Sequence, residues 1–168
     1  MKAIVRSATV LCLLAGTSLA LAQPPAGQRP PPPPPSLISY DQAATAMAAA
    51  EAHARENGWA MTIRIVDQND NVVMVHKLDN ANPRTADIAA RKTLTVLGSK
   101  MTSAEYGAKV QAGEIAEIEN AVTFGGGVPI YIDGKLVGAI AASGARPEED
   151  ESVSRAGVEA IGGSVSMN

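Results

Sequence analysis

FGGGVPIYIDGKLVGAIAASGA, Phe124 to Ala145, decides the fold. Two β-prone runs, Val128 to Ile132 and Lys135 to Ser143, are separated by Asp133-Gly134 alone. That dipeptide is the strongest short-range hairpin signal, because a type I′ turn needs positive φ at both central positions. The three glycines, Gly125 to Gly127, also invite a phosphate-loop reading. A P-loop, however, runs from a strand through G-x-x-x-x-G-K-[ST] into a helix whose amides meet the phosphate, and here GGG runs into V-P-I-Y-I and a hairpin. A nucleophile elbow is excluded as well: there is no G-x-S-x-G, and Ser143 has no histidine placed by sequence to activate it. Two readings of the glycines stay open. They form a turn entering a strand, and their bare backbone offers a surface for a flat or bulky ligand.

Working outward, Tyr40 to Asn57 reads as a helix, with Ala43, Ala46, Met47, Ala50 and Ala54 on one side and Asp41, Thr45 and Glu56 opposite. Ser39 or Asp41 is placed to cap its start, and Gly58 ends it. Ala60 to Val66 alternates with Met61, Ile63 and Ile65 on one face, and Val72 to Leu78 follows across the turn DQNDN, giving a second antiparallel hairpin. A helix is predicted from Thr85 to Leu97, between Pro83 and Gly98, with Ile88, Arg91, Lys92 and Thr95 along one stripe. From Lys100 to Thr123 the pattern weakens to a short helix capped by Thr102 or Ser103 and one or two further turns within Ala112 to Asn120. The last helix starts at Pro147, carries EEDE (Glu148 to Glu151) in its first turn, and has its apolar stripe on Val153, Ala156, Gly157, Ala160 and Ile161. The order α-β-β-α-(α)-β-β-α specifies an α+β domain, an antiparallel sheet carrying helices, and not a doubly wound nucleotide fold.

The flanks are equally legible. Met1 to Ala22 has Lys2 and Arg6, an apolar run from Ala8 to Leu21, and Ala20 and Ala22 in the arrangement signal peptidase accepts. The run is too short to span a bilayer as a helix, which needs about 20 apolar residues. The mature protein is therefore expected to be periplasmic or secreted, without membrane insertion. Cys12, the only cysteine, leaves with that segment, removing disulfides, thiolate nucleophiles and Cys-ligated metals. Gln23 to Ser36 is proline-rich, favours polyproline II and serves as a semi-rigid spacer; a PxxP ligand for a proline-reading partner is the alternative. The domain proper is Leu37 to Asn168. Removing Lys2 and Arg6 takes the formal net charge from −3 to −5, and the remaining cations are scattered, which argues against nucleic acid.

The domain resembles a known family. The run GGGVPI, then Gly134, Gly138-Ala139-Ile140, Ser143-Gly144-Ala145, Asp150 and Ala156-Gly157 are similar to the C-terminal signature of the GlcG/HbpS family of small haem-binding proteins. Val66-Asp67, KLDNA at Lys77 to Ala81, and Ala89-x-x-Lys92-x-x-Thr95 match it upstream. Asn80 stands where glycine is expected, and Ala141-Ala142 replace Gly-Val. The resemblance implies a profilin-like α/β sandwich, a symmetric homo-oligomer, and haem or a related tetrapyrrole as ligand; a haem-degrading activity is attributed to the group. It also implies Lys92, Thr95, Gly126, Gly127, Pro129, Ser143 and Gly144 as ligand-binding positions.

A haem needs an apolar slot, cations or amides for its propionates, and optionally a His, Met or Tyr on iron. His76 shares a strand face with Val72, Met74 and Leu78, so it is a candidate ligand to iron as well as an edge histidine bonded to backbone. His53 lies about 80° from the centre of its helix's apolar face, a flank position and a second candidate metal ligand. Neither has the spacing of a dedicated metal site. Tyr131, Met47 and Met74 remain options, although methionine at core spacing usually packs. Lys92 and Arg91 are placed to bind propionates, and EEDE complements the helix dipole or weakly chelates iron. Three functions follow: an exported tetrapyrrole-binding protein; an enzyme, haem-degrading or with an intersubunit pocket using Lys92; or an oligomeric sensing module.

Overall fold

The computed structural model describes residues 37–167. The leader, 1–22, and the proline-rich segment, 23–36, lie outside the described residues. Eight elements follow in chain order: α1 (Tyr40–Glu56), β1 (Thr62–Asp67), β2 (Val72–Lys77), α2 (Thr85–Ser99), α3 (Ser103–Gln111), β3 (Gly127–Ile132), β4 (Lys135–Ser143) and α4 (Pro147–Ala160).

Local chemistry explains most boundaries. Ser39 starts α1 through a capping box: its Oγ accepts from the Gln42 amide at 3.2 Å, while Gln42 Oε1 accepts from the Ser39 amide at 3.0 Å. Thr102 starts α3, its Oγ1 accepting from the Glu105 amide at 3.1 Å. Asp133 (φ 49°) and Gly134 (φ 71°) both sit in the left-handed region, and Ile132 pairs with Lys135, which is the two-residue hairpin expected from Asp-Gly.

One expectation fails. The further helical turns within Ala112 to Asn120 are turns and irregular chain instead. Gly113 (φ 72°) stops α3, and the segment is pinned from below, where the buried Tyr106 hydroxyl accepts from the Ile118 amide at 2.7 Å.

The four strands form one antiparallel sheet in the order β2-β1-β4-β3. Alternation sorts its side chains into two layers. Ile63, Ile65, Val128, Ile130, Ile140 and Ala142 meet the alanine face of α1 and Val153 and Val158 of α4 in the main core. Val66 and Ala139 turn the other way and meet Val96 of α2. The architecture is thus α+β, four helices packed on a four-stranded antiparallel sheet. Among the described residues no helix is long and apolar enough to cross a membrane.

Candidate functional site

Helix α2 places a lysine on its buried stripe. Ala89, Lys92 and Val96 all face inward, and Lys92 is fully buried. A lysine there needs partners, since an unpaired buried ammonium is very costly. It has two: Nζ donates to the Ala142 carbonyl at 2.8 Å and to Asp150 Oδ2 at 2.6 Å. Asp150, also buried, accepts the Ala145 amide on Oδ1 at 2.9 Å. The pair therefore ties α2, β4, α4 and the β4–α4 connection together. Burial pushes the Lys92 ammonium below its ordinary pKa and the Asp150 carboxyl above its own, each opposed by the other's charge.

The glycine run is explained by the same pair. A Cβ added at Gly126 (φ 120°) would stand 2.2 Å from Lys92 Nζ and 2.8 Å from both the Ala142 carbonyl and Asp150 Cβ. The space beside its backbone is filled from within, by Lys92 and Asp150, rather than open to a ligand. Phe124, two residues earlier, lies with its ring centroid 5.3 Å from Lys92 Nζ and stays 41% exposed, within the reach of a cation–π contact.

A cleft of about 330 Å³ opens beside this arrangement. Phe124, Ile88, Ala145 and Pro147 give it apolar walls; the buried Thr85, Ser143 and Asp150 form its inner side; Asn82, Arg84 and Gly144 stand at the exposed rim. Arg84 is the N-cap residue of α2, an end that no side chain caps. A hollow of about 360 Å³ on the other side of Pro147 is walled by Glu148, Glu151 and Arg155. Its Arg155 is already paired with Glu151 at 2.7 Å, so the cleft with the open aromatic and Arg84 is the candidate site.

Of the residues expected to bind ligand, Ser143 and Gly144 line this cleft and Lys92 stands directly behind it. Thr95 is structural: its Oγ1 donates to the Arg91 carbonyl at 2.8 Å and accepts from the Val122 amide at 2.9 Å. Gly127 lies against α2, its amide donating to Ser103 Oγ at 3.0 Å, and Pro129 is buried in β3 opposite Ala139. Arg91 donates to the Asn120 and Ala121 carbonyls at 3.0 and 3.2 Å, so it bonds the loop rather than facing the cleft.

The histidines lie elsewhere. His76 does not enter an apolar region: β2 is an edge strand, its side chain is 47% exposed, and Nδ1 bonds Glu51 of α1. It pairs with Ile63, which puts it on the α1 face, away from the α2 side that carries Thr85 and Ser143. His53 bonds Ser152 Oγ at 3.2 Å and meets Trp59 edge-on at 5.9 Å between centroids. Met47 is core packing. Among the described residues no three His, Cys, Asp or Glu are grouped to hold a metal ion.

Sequence reasoning missed Asp150 as the partner of Lys92, and Phe124, Ile88 and Arg84 as cleft walls. A signal for the first was present, a lysine in register with Ala89 and Val96. A lone phenylalanine beside three glycines hinted at the second.

The four-stranded antiparallel sheet, layered between helices and carrying a cleft against α2, defines a small α+β domain. The chain belongs to the family described as haem degrading protein HbpS-like, which matches residues 38–159. Protein GlcG of Escherichia coli K12 is 26% identical over 109 residues, spanning 64% of this chain and 81% of that protein. The crystal structure of a double mutant of Streptomyces reticuli HbpS superposes with a TM-score of 0.69 at 27% identity, covering 82% of this chain and 96% of that one. A PduOC:haem complex shares the fold, with a TM-score of 0.66 at 22% identity over 77% of this chain and 98% of that one.

Proposed function

We propose that this protein binds haem or a related tetrapyrrole in the cleft between α2 and the β4–α4 connection, and that it does so as an exported homo-oligomer. The carrying observation is the half-exposed Phe124 ring beside apolar Ile88, Ala145 and Pro147, with Arg84 at the rim. An apolar cleft with a few placed polar groups is the usual form of a small-molecule site. The residues fit the organic part of haem: apolar walls for the macrocycle, an aromatic ring to stack on it, and a guanidinium for a carboxylate. They do not fit its iron, because no described residue lining the cleft is a His, Cys, Met or Tyr. Membership of the HbpS-like family and likeness to a haem complex support the ligand class. Haem, when bound, supplies a redox-active iron; this chain's residues bind and orient the ring.

Titrating the mature protein with hemin tests the reading. A saturable Soret change at micromolar hemin is expected, and no change would overturn it. A second reading, degradation of the bound macrocycle, is supported by the family's description. It requires the Soret band to decay with released iron when a reductant and dioxygen are both supplied. Export rests on Met1 to Ala22, and is checked by fractionating cells for a chain beginning at Gln23.

A further inference from the structure

We infer that the cleft recognises a porphyrin by its face and its carboxylates and is indifferent to the metal at its centre, so that metal-free protoporphyrin IX is as good a ligand as hemin. The inference rests on the tetrapyrrole reading and sharpens it to a ligand class, a flat apolar macrocycle bearing carboxylates.

Three observations carry it. First, the side chains that ligate haem iron are His, Cys, Met and Tyr, and none is among the described residues of the lining. Both histidines are engaged elsewhere, His76 with Glu51 and His53 with Ser152 and Trp59. Second, the one carboxylate in the lining is committed. Asp150 accepts from Lys92 on Oδ2 and from the Ala145 amide on Oδ1. Turning it to a metal would strand a fully buried ammonium, a change that opposes iron binding. Third, what the cleft does present suits a ring with acid groups. Phe124 offers a face backed by the Lys92 ammonium at 5.3 Å, which draws on the ring's electron density and favours stacking with an electron-rich macrocycle. Arg84 offers a planar donor fork beside the positive end of α2, matched to a carboxylate rather than to a metal.

The test compares hemin with protoporphyrin IX on the mature protein, by absorbance titration, in wild type and in Phe124→Leu, Arg84→Gln, His53→Ala, His76→Ala and Met167→Leu. Phe124 and Arg84 are exposed at the cleft, so an unchanged melting curve certifies that the variants are folded. The expected result is a similar Kd for the two ligands, a parallel loss of about tenfold for both in Phe124→Leu and in Arg84→Gln, and an unchanged hemin spectrum in the His and Met variants. A hemin Kd at least about tenfold tighter than that of protoporphyrin IX would overturn the inference while leaving tetrapyrrole binding intact. So would loss of the hemin spectrum in any His or Met variant; Met167→Leu would then place the iron at the hollow beside Lys100 and Tyr131. Binding of neither ligand would overturn both the inference and the reading beneath it.

Discussion

Lys92 Nζ stands 2.6 Å from Asp150 Oδ2 with both side chains buried, 58 residues apart in sequence. The contact fixes the wall of the cleft, because the same carboxylate holds the Ala145 amide.

Breaking the pair from one side should be worse than removing it. Lys92→Met leaves Asp150 without its cation and is expected to cost about 3–5 kcal/mol of stability. The double variant Lys92→Met/Asp150→Leu should cost less than Lys92→Met alone, since no buried charge is left unpaired. Chemical denaturation of these two variants and of Asp150→Leu checks this; additive losses would show that the two groups are not coupled.

The pair also shapes stability against pH. Asp150 has a raised folded pKa, so the folded chain holds its proton more tightly; that contribution is fully present below the ordinary value of 3.8 and lost as pH rises through the folded value. Lys92 has a lowered folded pKa, so stability rises again with pH between the folded value and 10.5. Relative to Lys92→Met/Asp150→Leu, the wild-type melting temperature should fall as pH rises from 3.8 and recover as pH approaches 10.5. A flat difference from pH 3 to 10 would contradict the shifts.

Gly126→Ala should be among the most damaging small substitutions in the chain. The new Cβ would meet Lys92 Nζ at 2.2 Å and the Ala142 carbonyl at 2.8 Å, at a φ of 120° that side chains rarely adopt. A loss of roughly 3 kcal/mol is expected from strain and displaced partners together. Near-wild-type melting would mean that the loop moves freely away from the ion pair.

His76→Ala should be nearly silent. Its partner Glu51 is on the surface of α1 and the imidazole is 47% exposed, and such pairs contribute about 0–1 kcal/mol. Thermal melting checks this, and a larger loss would give β2 a structural role that its exposure does not suggest.

How far the sequence disclosed this depends on the distance over which each feature is decided. Asp133-Gly134 is a local choice between backbone conformations, so the β3–β4 hairpin was legible, as was the alanine face of α1; the caps were legible only as a choice between Ser39 and Asp41 and between Thr102 and Ser103, which the structure decides for Ser39 and Thr102. The segment from Ala112 to Asn120 was not, because a tertiary bond from Tyr106 holds it where no periodicity does. Alternation groups His76 with Met74, and the two do share a face, opposite Ile63 and Ile65 of β1, but whether that face is covered at His76 depends on β2 being the sheet's edge, which strand order alone decides. EEDE reads, with weak iron chelation as the alternative, as a dipole-complementing first turn. That holds for Glu149, bonded to Arg146 at 2.7 Å, whereas Asp150 turns inward to a lysine that only the folded chain brings near. Lys92, Ser143 and Gly144 were placed at the site by family resemblance; Thr95, Gly127 and Pro129, taken from the same signature, sit in the packing behind it.

The most direct measurement is a hemin titration of the protein expressed from Gln23 onward, repeated with Phe124→Leu. The expected result is a saturable Soret change at micromolar hemin in the wild type, weakened about tenfold by the substitution. An unchanged Soret band in the wild type, or saturable binding untouched by Phe124→Leu, would contradict a tetrapyrrole site in this cleft.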